Sequence, residues 1–172
     1  MIRKGEHIMT VTQRRRPVPL LPTTIFLLFL FAAPIGSEEI QFSRGQALYI
    51  PVYSHIFIGN REMSFNLSAN LSIRNTDPDQ SLTITSVRYY DSDGKLVKEY
   101  LADPKPLKPM GSAYFFIPAS DTSGGWGANF IVTWSSRIAV NTPIIECVMT
   151  GIKGSHSLSF ITRGKPIREN TP

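Results

Sequence analysis

Cysteine is nearly absent from this 172-residue sequence, which contains Cys147 alone. A single cysteine excludes an internal disulfide, so an apolar core has to hold the fold without one. The segment around it, residues 144–149 (IIECVM), predicts a β-strand, in which cysteine behaves as a small buried apolar side chain. A reactive or intermolecular thiol is the alternative interpretation.

Excess basic charge is also absent from most of the sequence, although the whole chain has a net charge of +5 and a pI near 9.5. Residues 1–37 contain five Lys and Arg and one Glu. The remaining residues contain 13 Lys and Arg against 12 Asp and Glu, a net charge of +1. This balance gives no electrostatic reason to expect nucleic acid as a partner.

Long apolar runs are missing apart from one near the N-terminus. Three arginines at 14–16 precede an apolar stretch at 20–33, and small residues follow it. This order predicts a secretory signal sequence over residues 1–37, cleaved near Ser37–Glu38. An uncleaved anchor is the alternative, although Pro22 interrupts the run, which is shorter than the ~20 residues of a spanning helix. We therefore expect an exported protein of the periplasm or cell envelope.

No window shows sustained helical periodicity. Apolar residues instead alternate with polar ones, most clearly at 65–74, which predicts a strand with one buried face. Turn signals at roughly ten-residue spacing indicate one all-β domain, an immunoglobulin-like β-sandwich of seven to eight short strands. The expected organisation is a short linker at 38–45, the sandwich at 46–167 and a frayed tail at 168–172. Strands are predicted at 46–57, 65–74, 82–90, 95–100, 112–117, 128–134, 143–152 and 158–161.

Catalytic and metal-binding motifs are missing as well. The sequence contains no Gly-x-Ser-x-Gly motif, and His55 and His156 are the only histidines after residue 37. Their spacing from Cys147 does not match that of a copper site. Residues 91–94 (DSDG) predict a hairpin turn in preference to half of a calcium loop. We predict a non-catalytic domain without cofactor or metal.

The most unusual segment is glycine-rich, residues 121–129 (DTSGGWGAN). Glycines let a backbone approach a ligand closely, and a tryptophan in such a loop offers apolar contact. The segment has no lysine and no following helix, so it is not a phosphate-binding loop. A tight connection between strands is the alternative. We predict a binding surface formed by this loop and two neighbouring segments: Trp126, Asp121, Ser123, Asn129, His55, Asn60 and Arg61.

Several segments together resemble a bacterial family of exported proteins, domain of unknown function 3124. They are QALYIPVYSH (46–55), GNRE (59–62), LSIRNTDP (71–78), TITSVRYYDSDGK (83–95) and DTSGGWGANFIV (121–132). The resemblance covers nearly the whole chain after the predicted signal sequence. It implies an exported or envelope-associated domain, and it carries over no activity and no functional residue.

Taken together, these features predict an exported envelope protein that acts as a binding module, with an envelope protein or a glycan as its partner. A periplasmic protein that binds a small molecule or a metal ion is the alternative. A weak hydrolase is a third, for which the available residues are His55, Asp121, Ser123 and Glu146. Contact with a membrane is expected only through an uncleaved N-terminal segment.

Overall fold

The computed structural model describes residues 40–169, so the predicted signal sequence at 1–37 lies outside the described residues. Within this range the regular structure is entirely β, and no helix is long and apolar enough to cross a membrane. The strands are β1 (Phe42–Pro51), β2 (His55–Ile58), β3 (Met63–Asn66), β4 (Ser68–Arg74), β5 (Leu82–Tyr90), β6 (Leu96–Glu99), β7 (Lys105–Leu107), β8 (Ser112–Ile117), β9 (Asn129–Asn141), β10 (Ile144–Lys153), β11 (His156–Arg163) and β12 (Lys165–Glu169).

These strands form two main antiparallel sheets and one small hairpin. The six-stranded sheet has the order β12–β1–β9–β5–β6, and β7 also pairs with β5. The four-stranded sheet has the order β11–β10–β4–β8, and β2 pairs with β3 in the hairpin. The predicted all-β sandwich is therefore confirmed.

The core lies between the two main sheets. The alternation predicted at 65–74 is confirmed, because Phe65, Leu67, Ala69, Leu71 and Ile73 are all buried. The six-stranded sheet contributes its own large buried side chains, led by Trp134, Tyr89 and Phe130. Each large apolar side chain removed from water contributes about 1.5–3 kcal/mol, which explains how the fold is stable without a disulfide. Cys147 is a fully buried member of this core, as predicted.

Twelve strands are present in the described residues, where seven to eight were predicted. The predicted strand 46–57 ends at Pro51 because the backbone then turns toward the β8–β9 connection. The Val52 N–H donates to the Ala128 carbonyl at 2.9 Å. The predicted strand 65–74 is interrupted at Leu67, where the chain passes from the β2–β3 hairpin to β4 in the four-stranded sheet. The Leu67 N–H donates to the Ser54 carbonyl at 2.9 Å, in register with the hairpin. The alternating patterns at 46–57 and 65–74 therefore each contain a strand break that the sequence does not show.

Both ends of the domain extend further than predicted. Strand β1 begins at Phe42, inside the expected linker 38–45, and β12 ends at Glu169, inside the expected tail 168–172. Gln46 lies opposite Glu169, and its Nε2 donates to the Glu169 carboxylate at 2.9 Å. The sequence gives little sign of β12, because its five residues are all exposed and have no buried face.

The connection from β4 to β5 is held by one carboxylate. Asp77 Oδ2 accepts from the Asn141 N–H at 3.1 Å, and Oδ1 accepts from the Asp79 and Gln80 N–H groups at 3.0 and 2.8 Å. These hydrogen bonds, led by that from Asn141, lower the pKa of Asp77 because they favour the ionised carboxylate. The connection is thereby fixed to the end of β9.

Candidate functional site

The glycine-rich loop (residues 121–128) connects β8 to β9 at one end of the sandwich. Asp121 and Ser123 are brought together there, as the predicted surface requires. Asp121 Oδ1 accepts from the Ser123 N–H at 3.0 Å and from Ser123 Oγ at 2.5 Å. These two side chains therefore stabilise the first turn of the loop, an Asx-type turn.

Two serines from other parts of the chain anchor the loop. The N–H and Oγ of Ser92 both donate to the Gly124 carbonyl, at 3.0 and 3.1 Å, and Ser92 Oγ accepts from the Gly127 N–H at 2.9 Å. The N–H and Oγ of Ser54 donate to the Gly125 carbonyl at 3.2 and 2.9 Å. Sequence reasoning missed both serines. The one indication of their importance in the sequence is that they lie in two of the segments that carry the family resemblance, 46–55 and 83–95.

Ser92 belongs to the predicted hairpin turn at 91–94, which the structure confirms. Asp91 Oδ1 accepts from the Asp93 and Lys95 N–H groups at 3.0 and 2.8 Å. Gly94 adopts a positive φ of 79° and donates its N–H to the Asp91 carbonyl. The Asp91 carboxylate thus closes the turn that presents Ser92 to the glycine-rich loop.

Two of the glycines are required by the geometry of the loop. A Cβ on Gly124 would lie 1.9 Å from the Tyr89 hydroxyl oxygen, far inside van der Waals contact. Gly125 has a φ of +75°, in the left-handed region that side chains disfavour. The glycines therefore let the loop pack closely over Tyr89 and Ser92, as a tight connection would.

Trp126 is the exposed feature of this loop, with 56% of its surface accessible. Its ring makes an edge-to-face contact with Tyr53, with centroids 5.8 Å apart, and Tyr53 makes the same kind of contact with Phe160 at 5.8 Å. These three rings are called the aromatic cluster below. Tyr53 and Phe160 were not predicted from the sequence, because they come from the β1–β2 connection and from β11.

His55 and Asn129 differ in accessibility. His55 is half-buried beside the loop, with Nδ1 3.3 Å from Ser54 Oγ and its ring 5.2 Å from that of Phe57. Asn129 is only 9% exposed, because it begins β9 between Pro51 and Tyr90 in the six-stranded sheet. The prediction of Asn129 as a contact residue is therefore corrected, since a partner has almost no access to it.

Asn60 and Arg61 lie away from the loop. Both are exposed in the turn between β2 and β3, and this turn is at the opposite end of the hairpin from His55. At about 3.3 Å per residue, Asn60 is roughly 16 Å along the hairpin from His55. The structure therefore brings Trp126, Asp121, Ser123 and His55 together and leaves Asn60 and Arg61 outside this group.

The charge of Asp121 acts on two nearby phenols. Burial raises the pKa of Tyr89, and the Asp121 carboxylate raises it further. The same two causes, in the same order, raise the pKa of Tyr100. Both phenols therefore stay neutral across the physiological range, and the carboxylates at this end of the domain are Asp121 of the loop and Asp91 and Asp93 of the adjoining turn.

The one serine–histidine contact at this site does not have the form of a nucleophile and its base. Ser54 is 1% exposed, and its hydroxyl donates to the Gly125 carbonyl, so it is closed to substrate and already bonded. Across residues 40–169, no group of three or more His, Cys, Asp or Glu side chains is placed to hold a metal ion.

The sequence belongs to the family described as "Protein of unknown function (DUF3124)", whose model matches residues 45–167. The resemblance found in the separate segments is therefore confirmed over most of the chain. The match includes the glycine-rich loop, both anchoring serines and all three rings of the aromatic cluster.

Among curated proteins, none matches the sequence significantly. Among solved structures, one titled "Crystal Structure of Thermotoga maritima 1070" is similar, with a TM-score of 0.43 and 14% sequence identity. The alignment covers 70% of this chain and 92% of that one.

Proposed function

We propose that this protein is a non-catalytic binding module of the cell envelope, which contacts a protein partner through the aromatic cluster. The observation that carries the proposal is Trp126, a large ring more than half exposed on a loop that two separate segments hold in place. Tryptophan and tyrosine are the side chains most enriched at the energetic centres of protein interfaces.

The surroundings of the cluster have the composition of an interface rim. Asp121 and Ser123 lie on the same loop as Trp126, His55 lies next to the anchoring residue Ser54, and Leu158 is an exposed apolar side chain in β11, the strand of Phe160. An apolar centre with a polar rim is typical of specific protein contacts. The negative charge of Asp121 favours a basic group on the facing partner.

The anchored loop lowers the cost of binding. Hydrogen bonds from Ser54 and Ser92 fix the backbone of the loop before any partner arrives, so little loop entropy is lost on association. Export to the envelope is part of the proposal and is supported by the signal pattern at 1–37.

Affinity capture from envelope extract tests this proposal with three proteins, expressed from the whole chain and tagged at the C-terminus. They are the wild type, Trp126→Ala and Phe42→Ala, the last a control with a 64% exposed ring at the other end of β1. We expect Trp126→Ala to change the unfolding free energy by less than about 1 kcal/mol, because the ring is largely exposed. It should lose the captured partner, and Phe42→Ala should retain it.

The captured partner is then purified and its affinity measured by calorimetry. A loss of tenfold or more on Trp126→Ala, with Phe42→Ala unchanged, supports the proposal. Equal retention by both variants contradicts it. If a glycan is captured specifically and no protein is, the proposal of a protein partner is wrong and the aromatic cluster binds a carbohydrate.

A further inference from the structure

A second feature lies on the outer face of the four-stranded sheet, well away from the aromatic cluster. It is a cleft of about 390 Å³ near the end of β4 that carries Arg74. The other end of β4 follows Leu67, which is bonded to Ser54 and so lies near the glycine-rich loop. At about 3.3 Å per residue, the cleft is roughly 20 Å from that end. Its lining residues are Ser72, Arg74, Asn75, Thr76, Met110, Ser112, Ala113, Tyr114 and Ile144.

Arg74 is the one charged side chain among these lining residues, and 58% of it is exposed. Its Nε donates to Ser72 Oγ at 3.1 Å, and Nη2 lies 3.8 Å from Glu146 Oε1, beyond hydrogen-bond distance. A guanidinium carries five N–H donors in a planar fork that matches a carboxylate. Ser72 takes the Nε–H and Glu146 weakens the local positive potential, so the N–H groups on Nη1 and Nη2 are the donors left for a carboxylate. The cleft is therefore suited to an anionic ligand.

Tyr114 provides a flat apolar wall beside this charge. Its side chain is 76% exposed on β8, and it stands two residues from Phe116, which is also exposed on the same face. Ser112 and Thr76 also line the cleft, and Thr76 Oγ1 donates to the Thr142 carbonyl at 3.0 Å, which leaves it as an acceptor. An exposed aromatic ring next to hydroxyls and one charged donor suits a ring with an apolar face, polar edges and an acid group.

The rim of the cleft is preorganised at some energetic cost. Met110 has a φ of 57°, in the left-handed region that non-glycine residues rarely adopt, and its side chain is highly exposed. The Met110 N–H donates to the Asp77 carbonyl at 3.2 Å, and the following Gly111 donates to Lys108 and accepts from Asn75, both at 2.9 Å. Strained residues held in this way concentrate at ligand-binding positions.

We propose that this cleft binds a carboxylate-bearing sugar unit. Arg74 receives the carboxylate, Tyr114 packs against the face of the pyranose ring, the Ser112 hydroxyl pairs with a ring hydroxyl, and Thr76 Oγ1 accepts from another. Met110 and Ile144 cover the edge of the ring. The proposal is independent of the aromatic cluster and would stand if that surface bound nothing.

Titration of ¹⁵N-labelled protein, expressed from the whole chain, tests this site by following amide chemical shifts. The probes are glucuronate and galacturonate, with glucose and galactose as neutral matches, acetate as the bare anion and triglutamate as an acidic peptide. We expect at least one sugar acid to shift the amides of residues 72–76 and 110–114 and to bind at least about tenfold more tightly than every other probe, its neutral match included.

Four variants separate the parts of the site. Arg74→Gln should weaken sugar-acid binding by about tenfold or more, since it removes a charge-assisted pair. Arg163→Gln is the matched control, an exposed arginine on the same face opposite Glu146 and outside the cleft. Tyr114→Ala should weaken binding of the sugar acid and leave that of acetate unchanged. Glu146→Gln should strengthen binding, because it removes the opposing charge.

Several results would overturn the proposal. They are equal shifts with the acid and its neutral match, equal affinity for acetate or triglutamate, or equal loss of binding in Arg74→Gln and Arg163→Gln. If Arg74→Gln fails to fold, Tyr114→Ala and Glu146→Gln decide the question, since both changes are made at side chains outside the core. Unchanged sugar-acid binding in both of them contradicts the proposal.

Discussion

At the level of single residues, the glycine-rich loop depends on close packing that leaves no room for a Cβ atom at Gly124. The Tyr89 hydroxyl lies against Gly124, and Ser92 Oγ is bonded to the loop backbone at two positions. Small residues therefore hold the backbone of the glycine-rich loop in place. The large exposed side chain of this loop, Trp126, is attached to that fixed backbone.

We predict that Gly124→Ala destabilises the protein by about 1–3 kcal/mol, the usual cost of forcing an extra methyl into a packed site. The new Cβ would meet the Tyr89 hydroxyl oxygen at 1.9 Å and the Ala128 Cβ at 2.7 Å. Urea denaturation measures the change. Gly127→Ala is the control, because its Cβ would find its nearest neighbour, Ser92 Oγ, at 3.4 Å and should cost much less.

Adding Tyr89→Phe to Gly124→Ala should recover part of the lost stability, since it removes the closest clashing atom. A double variant no more stable than Gly124→Ala alone would show that the hydroxyl is not the cause. Equal destabilisation by the two alanine substitutions would contradict the steric explanation altogether.

Single residues also show where sequence reasoning reached its limit at the site. Trp126 was predictable because a tryptophan among glycines has no strand face to be buried on. Tyr53 and Phe160 were not, because they lie more than 100 positions apart and meet only after β11 packs beside the end of β1. Asn129 was misjudged because the sequence predicts its strand but does not show that Pro51 and Tyr90 pair with it on both sides.

At the level of elements, the β2–β3 hairpin packs closely against β10 at Gly151. Gly151 of β10 faces Phe65 and Leu67 so closely that an added Cβ would lie 2.4 Å from Phe65 Cε1 and 2.8 Å from the Asn66 carbonyl oxygen. The hairpin carries His55, Asn60 and Arg61, so its attachment to β10 positions three of the predicted residues.

We predict that Gly151→Ala loosens the hairpin before it unfolds the rest of the domain. Amide hydrogen exchange of residues 55–66 should become at least about tenfold faster, while that of β9 changes less. Ile152→Ala, at the highly exposed neighbouring position, should leave exchange of the hairpin unchanged. Uniform acceleration across the whole sandwich would contradict a local role for Gly151.

The strands that could be predicted from the sequence are those in which apolar and polar residues clearly alternate. Strands β5 and β8 were predicted with the bounds that the structure gives them, because each has one buried and one exposed face and ends at turn residues. The short strands β2, β7 and β12 lack such a pattern, and pairing with a neighbour determines them more than their own side chains do. Hydrogen bonding over long sequence distances does not appear in a local pattern.

For the whole molecule, Cys147 reports on global stability. Burial raises the pKa of its thiol to about 12, because the thiolate cannot be solvated inside the core. We predict that in native protein at pH 8 the thiol reacts with Ellman's reagent only as fast as the domain unfolds. Labelling should accelerate in proportion to the population unfolded by urea. Rapid stoichiometric labelling without urea would contradict this.

The same shift gives a pH dependence with a definite sign. The unfolded thiol has a pKa of about 8.5, so the unfolded state gains stability by ionising above that pH while the folded state does not. The contribution of Cys147 to stability is therefore complete below about pH 8 and falls as the pH rises from about 8.5 toward 12. Denaturation of Cys147→Ala over the same range should show a shallower alkaline decline.

The pairing of Gln46 with Glu169 has a practical consequence for anything attached to this protein. Strand β1 runs from there to Pro51, which lies opposite Asn129, the residue that follows the glycine-rich loop. The Gln46–Glu169 pair and the Pro51–Asn129 pair are five residues apart along β1, which is a distance of roughly 17 Å. A bead, chip surface or fluorescent label fixed beyond residue 169 is therefore held at a distance from Trp126, and a capture experiment mounted that way leaves the loop sterically open.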